Sequence, residues 1–376
     1  MRSSSSWSSR RRPGVARRPF RFARSVLLAA VVASACGRDG ADELRAGAAA
    51  GAAPPVAAGR TASDDAATSA PLEVVEFEIP RPGAFPHDPA VGADGVVWYT
   101  DQKNSYIGRL DPETGEITDA ATPTPQSGPH GITVAPDGGV WYTGNTAGRL
   151  GRLDPATMTI REFPLPAEAA DPHTLIVHDG DVWFTVQRAN LFGRLDPETG
   201  EAEVFPVETA NARPYGMVPA PDGSIWIALF GTNRLGRVDP ETGSLREFPL
   251  PDPGARPRRL VVAPDGRVWY TDYARDHLGV LDPRDGRVRE FPSPGQPSGP
   301  YGIEMGPDGR IWYNEAETGR MIAFDPATER AETVAIPTPG AIVRHMAVDA
   351  ERRRLWLALS GTGRIGMIQL GDGEGE

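Results

Sequence analysis

The chain has 376 residues, with 39 Lys and Arg against 50 Asp and Glu and a formal charge of −11. That balance argues against nucleic acid or an anionic membrane surface as a partner. A single cysteine rules out an intrachain disulfide, so apolar burial alone must hold the fold.

Residues 1–24 carry eight arginines and no acid, and Ser25 to Ala35 is a small, apolar run of 11 residues. Such a run suits the core of a signal peptide and is too short to span a bilayer. It ends in Ala33-Ser34-Ala35-Cys36-Gly37, which resembles a bacterial lipobox, so residues 1–36 read as a lipoprotein-like signal peptide with a lipid anchor on Cys36. An ordinary secretory cut after Ala-x-Ala is the alternative, and Arg17-Arg18-Pro19-Phe20 resembles a twin-arginine signal. The expected product is exported: a cell-envelope lipoprotein, or a periplasmic or extracellular protein, touching the membrane only through Cys36. Without the leader, 31 basic residues face 50 acidic ones. Residues 37–70 are mostly Ala, Gly, Pro and Asp and cannot bury enough surface to order, so they read as a disordered tether.

From residue 71 to 370 the pattern is periodic. Trp98, Trp141, Trp183, Trp226, Trp269, Trp312 and Trp356 recur at spacings of 42 to 44 residues. A repeat of that length with short β-type runs is one supersecondary unit that buries its apolar face against neighbouring copies. In the second copy, Ile132-Thr-Val-Ala ends at the turn Pro136-Asp137-Gly138, and Val140-Trp-Tyr-Thr is the next strand. Leu150-Gly-Arg-Leu and Thr159-Ile-Arg-Glu-Phe follow, separated by Asp154-Pro155. Four short strands per copy and no 3.6-residue apolar period predict an all-β, seven-bladed β-propeller of four-stranded antiparallel blades.

Leu72 to Ile79 looks like the fourth-strand segments Arg161-Glu-Phe-Pro and Arg246-Glu-Phe-Pro but precedes any blade that could own it. The last copy stops after three strands and runs into a polar tail, 371–376. The N-terminal strand is therefore expected to complete the last blade, Val74 to Ile79 pairing with Gly366 to Leu370, and so to close the ring.

The Pro-Asp-Gly and Asp-Pro-Glu-Thr-Gly turns belong to one face and are explained as turn formers. The other face gathers the start of each first strand and the loop after each second strand, and these vary most between copies. The first-strand starts read Pro86-His87-Asp88, Pro129-His130-Gly131, Pro172-His173-Thr174, Pro214-Tyr215-Gly216, Pro257-Arg258-Arg259, Pro300-Tyr301-Gly302 and Val343-Arg344-His345. His87, His130, Tyr215, Arg258 and Tyr301 are candidate ligand contacts at the channel mouth, and second-strand loops add Asp101, Asn145, Gln187, Arg188, Asp272 and Glu315. No phosphate loop, zinc spacing or Gly-x-Ser-x-Gly elbow is present.

The repeated Pro-His-Gly-Ile, Val-Trp-Tyr-Thr, Leu-Gly-Arg-Leu and Glu-Phe-Pro-Leu-Pro resemble the virginiamycin B lyase (streptogramin B lyase) family of seven-bladed propellers, over residues 72 to 370. The resemblance implies Mg²⁺-dependent opening of an ester in a cyclic depsipeptide by elimination, with a histidine as acid/base, a second histidine one blade earlier and two metal-binding glutamates. In this chain the last blade offers Ile342 and Ser360 at the glutamate positions. The pattern fits better elsewhere in the ring, where His173 takes the acid/base place, His130 the partner's, and Asp171 and Gln187 the metal positions. Two functions remain open. One is a lyase on His130 and His173. The other is a non-catalytic, envelope-anchored propeller, monomeric, that binds a small molecule, peptide or protein at its channel mouth.

Overall fold

A computed structural model describes residues 72–371. The expected leader, the tether and the tail beyond Gly371 lie outside the described residues. The described chain forms seven four-stranded antiparallel sheets, the blades of an all-β propeller. In the first blade, Pro86–Val91, Val97–Asp101, Tyr106–Leu110 and Ile117–Ala121 run in sequence order from the channel outward, and the next five blades repeat this. Among the described residues the one helical turn is Ala167–Ala169.

The seventh sheet is ordered Val343–Asp349, Arg354–Leu359, Arg364–Gln369 and then Val74–Glu78. Val74 pairs with Ile368 and Glu78 with Arg364, about two residues earlier than the partner stretch expected from sequence. A shared side-chain bond explains why this segment behaves as a fourth strand. Glu162 accepts hydrogen bonds from the Thr124 amide (3.3 Å) and hydroxyl (2.5 Å), and Glu247 accepts the same pair from Thr209 at 3.4 and 2.6 Å. Glu76 takes the amide and hydroxyl of Thr338 in the same way and adds Arg364 at 2.9 Å.

Each repeat tryptophan packs into the blade that follows its own. Trp98 lies among Ile132, Val140 and Tyr142 of the second blade, and Trp226 among Leu260, Val268 and Tyr270 of the fifth. Trp312 joins Met346, Leu355 and Leu357 of the seventh, and Trp356 joins Val97, Tyr99 and Leu110 of the first. Burial of one large aromatic side chain, roughly 200 Å² at ~25 cal/mol per Å², favours each junction by about 5 kcal/mol before entropy is counted. Space for the tyrosine that follows the tryptophan is made by a glycine opposite it on the next strand: a Cβ on Gly108 would stand 2.0 Å from the Tyr99 ring, and one on Gly151 2.1 Å from that of Tyr142. Chain reversals at Pro-Asp-Gly are set by the aspartate, whose carboxylate accepts the amide two residues on, as Asp137 does from Gly139 at 2.9 Å.

Replacing Trp226 by Ala should cost about 3–5 kcal/mol in urea unfolding. Glu76→Ala should cost about 1–3 kcal/mol, because it leaves the Thr338 donors and Arg364 without their acceptor. If Glu76→Ala unfolds at the wild-type midpoint, the clamp contributes nothing to holding the N-terminal strand.

Candidate functional site at the channel mouth

Every innermost strand is bulged after its first residue. The register shifts between Pro86 and Pro89, between Pro129 and Ile132, and at the same place in all five other blades. A bulge sets two residues against one on the partner strand and re-aims their side chains. The threonine of Val-Trp-Tyr-Thr is what faces it. Thr100 Oγ1 accepts the Asp88 amide at 3.1 Å and donates to the His130 carbonyl of the next blade at 2.9 Å. Thr143 does this for Gly131 and His173, and Thr185 for Thr174 and Tyr215, with bonds of 2.8 to 3.1 Å.

The first bulge residues meet in a packed layer. His87, His130, His173 and Tyr215 overlap in sequence, with ring centroids 3.9, 3.8 and 3.9 Å apart and planes tilted by 45 to 47°. Tyr215 Oη lies 2.7 Å from Tyr301 Oη and accepts from Arg258 at 2.9 Å, and the Arg258 guanidinium sits 3.7 Å from the Tyr301 ring centroid and 4.7 Å from that of Tyr273. Six of the seven first-strand entry residues, His87, His130, His173, Tyr215, Arg258 and Tyr301, are thus brought together. They are also 1 to 4% exposed, so the layer fills the mouth instead of lining it.

Burial depresses the pKa of His130 and His173 well below the ordinary imidazole value, with His173 and Arg259 respectively as the next contributions. Both rings are neutral. Directly beneath them a second set of bulge residues carries charge. Burial would raise the Asp88 carboxyl, but Arg259 at 3.1 Å, with His345 and His87 nearby, holds it well below the usual carboxylate range. His87 Nδ1 is 2.7 Å from the same carboxylate. The Asp88–Arg259 pair spans the channel from the first blade to the fifth, and Arg259 also donates to Thr174 at 3.3 Å.

Asp171 and Gln187 lie outside this layer. Asp171 Oδ2 accepts the Arg188 amide at 2.7 Å, and burial raises its pKa. It lines a cleft of about 460 Å³ with Asn145, Thr146, Glu168 and Arg188, between the second and third blades. Asn145 Nδ2 donates to the Pro172 carbonyl at 3.0 Å, so this cleft abuts the strand that carries His173. Mg²⁺ takes oxygen ligands in octahedral geometry. Gln187 brings no charge, and Asp171 is already bonded to an amide. Among the described residues the one group of three or more potential metal ligands is His87, Asp88 and His130, with ligand atoms within 4.8 Å of one another. Two imidazoles and a carboxylate neutralised by Arg259 are a poor donor set for a hard cation. The residues present do not fit Mg²⁺ at either place.

Asp101, Asp272 and Glu315 serve the turns. Asp101 accepts the Phe85 amide at 3.0 Å, Asp272 the Arg256 amide at 2.9 Å, and Glu315 the Ser293 hydroxyl and Gly295 amide at 2.6 and 2.7 Å. Sequence reasoning overlooked the second bulge position. Its signal was legible: Asp88, Arg259 and His345 stand where three other blades have glycine.

The sequence profile of the virginiamycin B lyase family matches residues 61–229 and, overlapping, 175–374. Among solved structures, a streptogramin B lyase matches with a TM-score of 0.74 at 24% identity, over 80% of this chain and 98% of its own. Virginiamycin B lyase from Staphylococcus aureus has the same TM-score, 0.74, at 25% identity, over 80% of this chain and 100% of its own. A catalytically inactive histidine-to-alanine form of that enzyme with quinupristin also matches at TM-score 0.74 and 24% identity, over 80% and 100% of the two chains. No curated protein matches.

The buried imidazoles make stability depend on pH. An unfolded histidine has a pKa of about 6.5, so below that pH the unfolded chain binds protons that folded His130 and His173 refuse. Stability should fall as pH drops from 7 towards 5, by about 1.4 kcal/mol per pH unit for each such histidine. Urea titrations of the wild type and of His130→Phe check this, the variant showing the shallower pH dependence.

Proposed function

We propose, for a chain that belongs to the virginiamycin B lyase family, that it is a ligand-binding propeller whose cleft between the second and third blades takes a polar small molecule or peptide. One observation carries this reading: packed between neighbouring rings, His130 and His173 are only 2% and 4% exposed. A general base must bring an in-plane ring nitrogen within hydrogen-bond reach of the proton it removes, and here His130 Nδ1 is buried and His173 Nδ1 lies 3.2 Å from Thr174 Oγ1, so the rings offer an ester little approach. The cleft beside them is open and carries Glu168, Asp171 and Arg188, a mixed-charge lining suited to a peptide-like ligand. In keeping with the leader, the protein is exported and held at the cell envelope through Cys36, and acts as a monomer. Cys36→Ser should then move it from the membrane fraction to the soluble one.

Family membership favours a second reading, opening of a cyclic depsipeptide by elimination, with His173 as base and His130 as its partner. Quinupristin distinguishes the two. On the binding reading the compound stays cyclic with or without Mg²⁺, while hydrogen exchange slows at Asn145, Thr146 and Ala189. A linear product of unchanged mass with a new double bond would establish the lyase instead. In that event His173→Ala should slow turnover by about 10²- to 10⁴-fold. No cleavage and no protection would remove peptide-like depsipeptides from the candidate ligands.

A further inference from the structure

The channel beneath the stacked layer has no part in the reading above. It holds a cavity of about 300 Å³ that none of the six stacked side chains lines. Its wall starts at the second bulge residues and extends to Val91 and Val134, the last residues of their strands beside the turns at the opposite face. The cavity therefore runs away from the loop face, towards the Pro-Asp-Gly turns.

Its polar groups divide into two sets. Asp88 and Thr174 bond the two terminal nitrogens of Arg259 at 3.1 and 3.3 Å, which leaves Arg259 Nε without a partner. Glu304 and His345 do not take part. Among the described residues, nothing hydrogen-bonds the Glu304 carboxyl, on which burial and the charge of Arg259 are the influences, and His345 Nδ1 is buried without a partner. Glu304 pairs in register with Trp312, and the equivalent positions on other blades hold Ala90, Thr133, Ile176 and Val218. A carboxyl beyond that of Asp88 thus faces the cavity, whose wall is part polar and part apolar. With Arg259 neutralised by Asp88, an ionised Glu304 leaves the cavity with one net negative charge. The groups there without a hydrogen-bond partner are the Glu304 carboxyl, which when ionised can only accept, His345 Nδ1 and Arg259 Nε.

We infer that the channel binds a small organic amine, admitted from the Pro-Asp-Gly face, with its ammonium group on Glu304 and His345 and its apolar body against Ile176, Val218 and Met346. A hydrated metal ion keeps its waters and needs more oxygen ligands than Glu304 supplies, whereas an amine can place its ammonium group on the carboxylate and its apolar part against the apolar share of the wall. A cavity of about 150 Å³ accommodates benzene, so this one has room for roughly ten non-hydrogen atoms. Burial pushes Glu304 up to about 8. The shift favours the protonated acid, and an arriving ammonium group favours the ionised form and so displaces protons from it.

The test is calorimetric titration of the full chain with hexylammonium, hexanol and hexanoate at pH 7, in buffers of different ionisation enthalpy. Hexylammonium should bind at least tenfold more tightly than hexanol and release part of a proton, and hexanoate should bind weakest. Glu304→Gln should abolish both the preference and the proton release. Val218→Trp, which fills the channel from another blade, should abolish binding of all three. Equal binding of hexanol or hexanoate, absence of binding by wild type, or unchanged amine affinity in Glu304→Gln would overturn the inference. Saturating quinupristin should leave the amine titration unaltered. A failure here therefore bears on the channel alone and leaves the cleft between the second and third blades untouched.

Discussion

A threonine hydroxyl can donate one hydrogen bond while accepting another, and the channel mouth depends on that capacity. Thr100, Thr143, Thr185 and Thr271 each accept the amide of their own blade's bulge and donate to the bulge carbonyl of the next blade. Asn314 does both with its two amide atoms, at 2.7 and 2.9 Å. Each bond is worth about 1 kcal/mol net, but an unmet buried amide or carbonyl would cost about 1–3 kcal/mol, so the bulge and the hydroxyl require one another. Ala228 and Ala358 stand at this position in the fourth and seventh blades. The junction after the fourth is filled by the Arg258 side chain against Tyr215, and the one after the seventh by Trp356 packed among Val97, Tyr99 and Leu110.

The bulges of the second, third and sixth blades are pinned at both ends and the other four at one, so the side chain of the first residue has little freedom. Six blades bring such side chains together, all of them aromatic or planar, and leave no open mouth, while Arg344 of the seventh lies by Phe85. The stack excludes water, which keeps His130 and His173 neutral, and it surrounds Arg258 with rings whose faces attract a cation. A propeller in this family with smaller residues at some of these positions would keep a hollow there. Occlusion here is a property of side-chain volume, not of the fold.

How much of this was legible follows from what a period can report. Tryptophans at blade spacing specify the number of blades, and Glu76 in its Val-Glu-Phe context marks an N-terminal strand as the missing fourth. Equivalent positions were identified from the repeat, and six of the seven first-strand entry residues did come together. Their burial was not legible, since a period says which residues are alike and nothing about whether the ring is wide enough to leave space between them. The bulge was hidden for a related reason: strict alternation assigns neighbours such as His87 and Asp88 to opposite faces, whereas a bulge lets both serve the channel. Asp101, Asp272 and Glu315 were expected at the mouth by loop position. Each instead accepts a backbone amide, a use that only the path of the chain reveals.

Repeat architectures are held by bonds between neighbours, and a ring so built can breathe, since small rotations at each junction add up. This one has ties that skip neighbours. Asp88 and Arg259 join the first and fifth blades, Thr174 and Arg259 the third and fifth, and Tyr215 and Tyr301 the fourth and sixth. A buried ion pair is a weak source of net stability, but removing one partner leaves a charge in a place water cannot reach. The pair therefore acts as a constraint on distance: the ring cannot widen without separating Asp88 from Arg259, and it cannot narrow without compressing rings already 3.8 to 3.9 Å apart. The diameter is bounded from both sides at the level of the bulges. Below that level, where Ala90, Thr133 and Ala347 are small, the same diameter leaves the cavity that Glu304 faces.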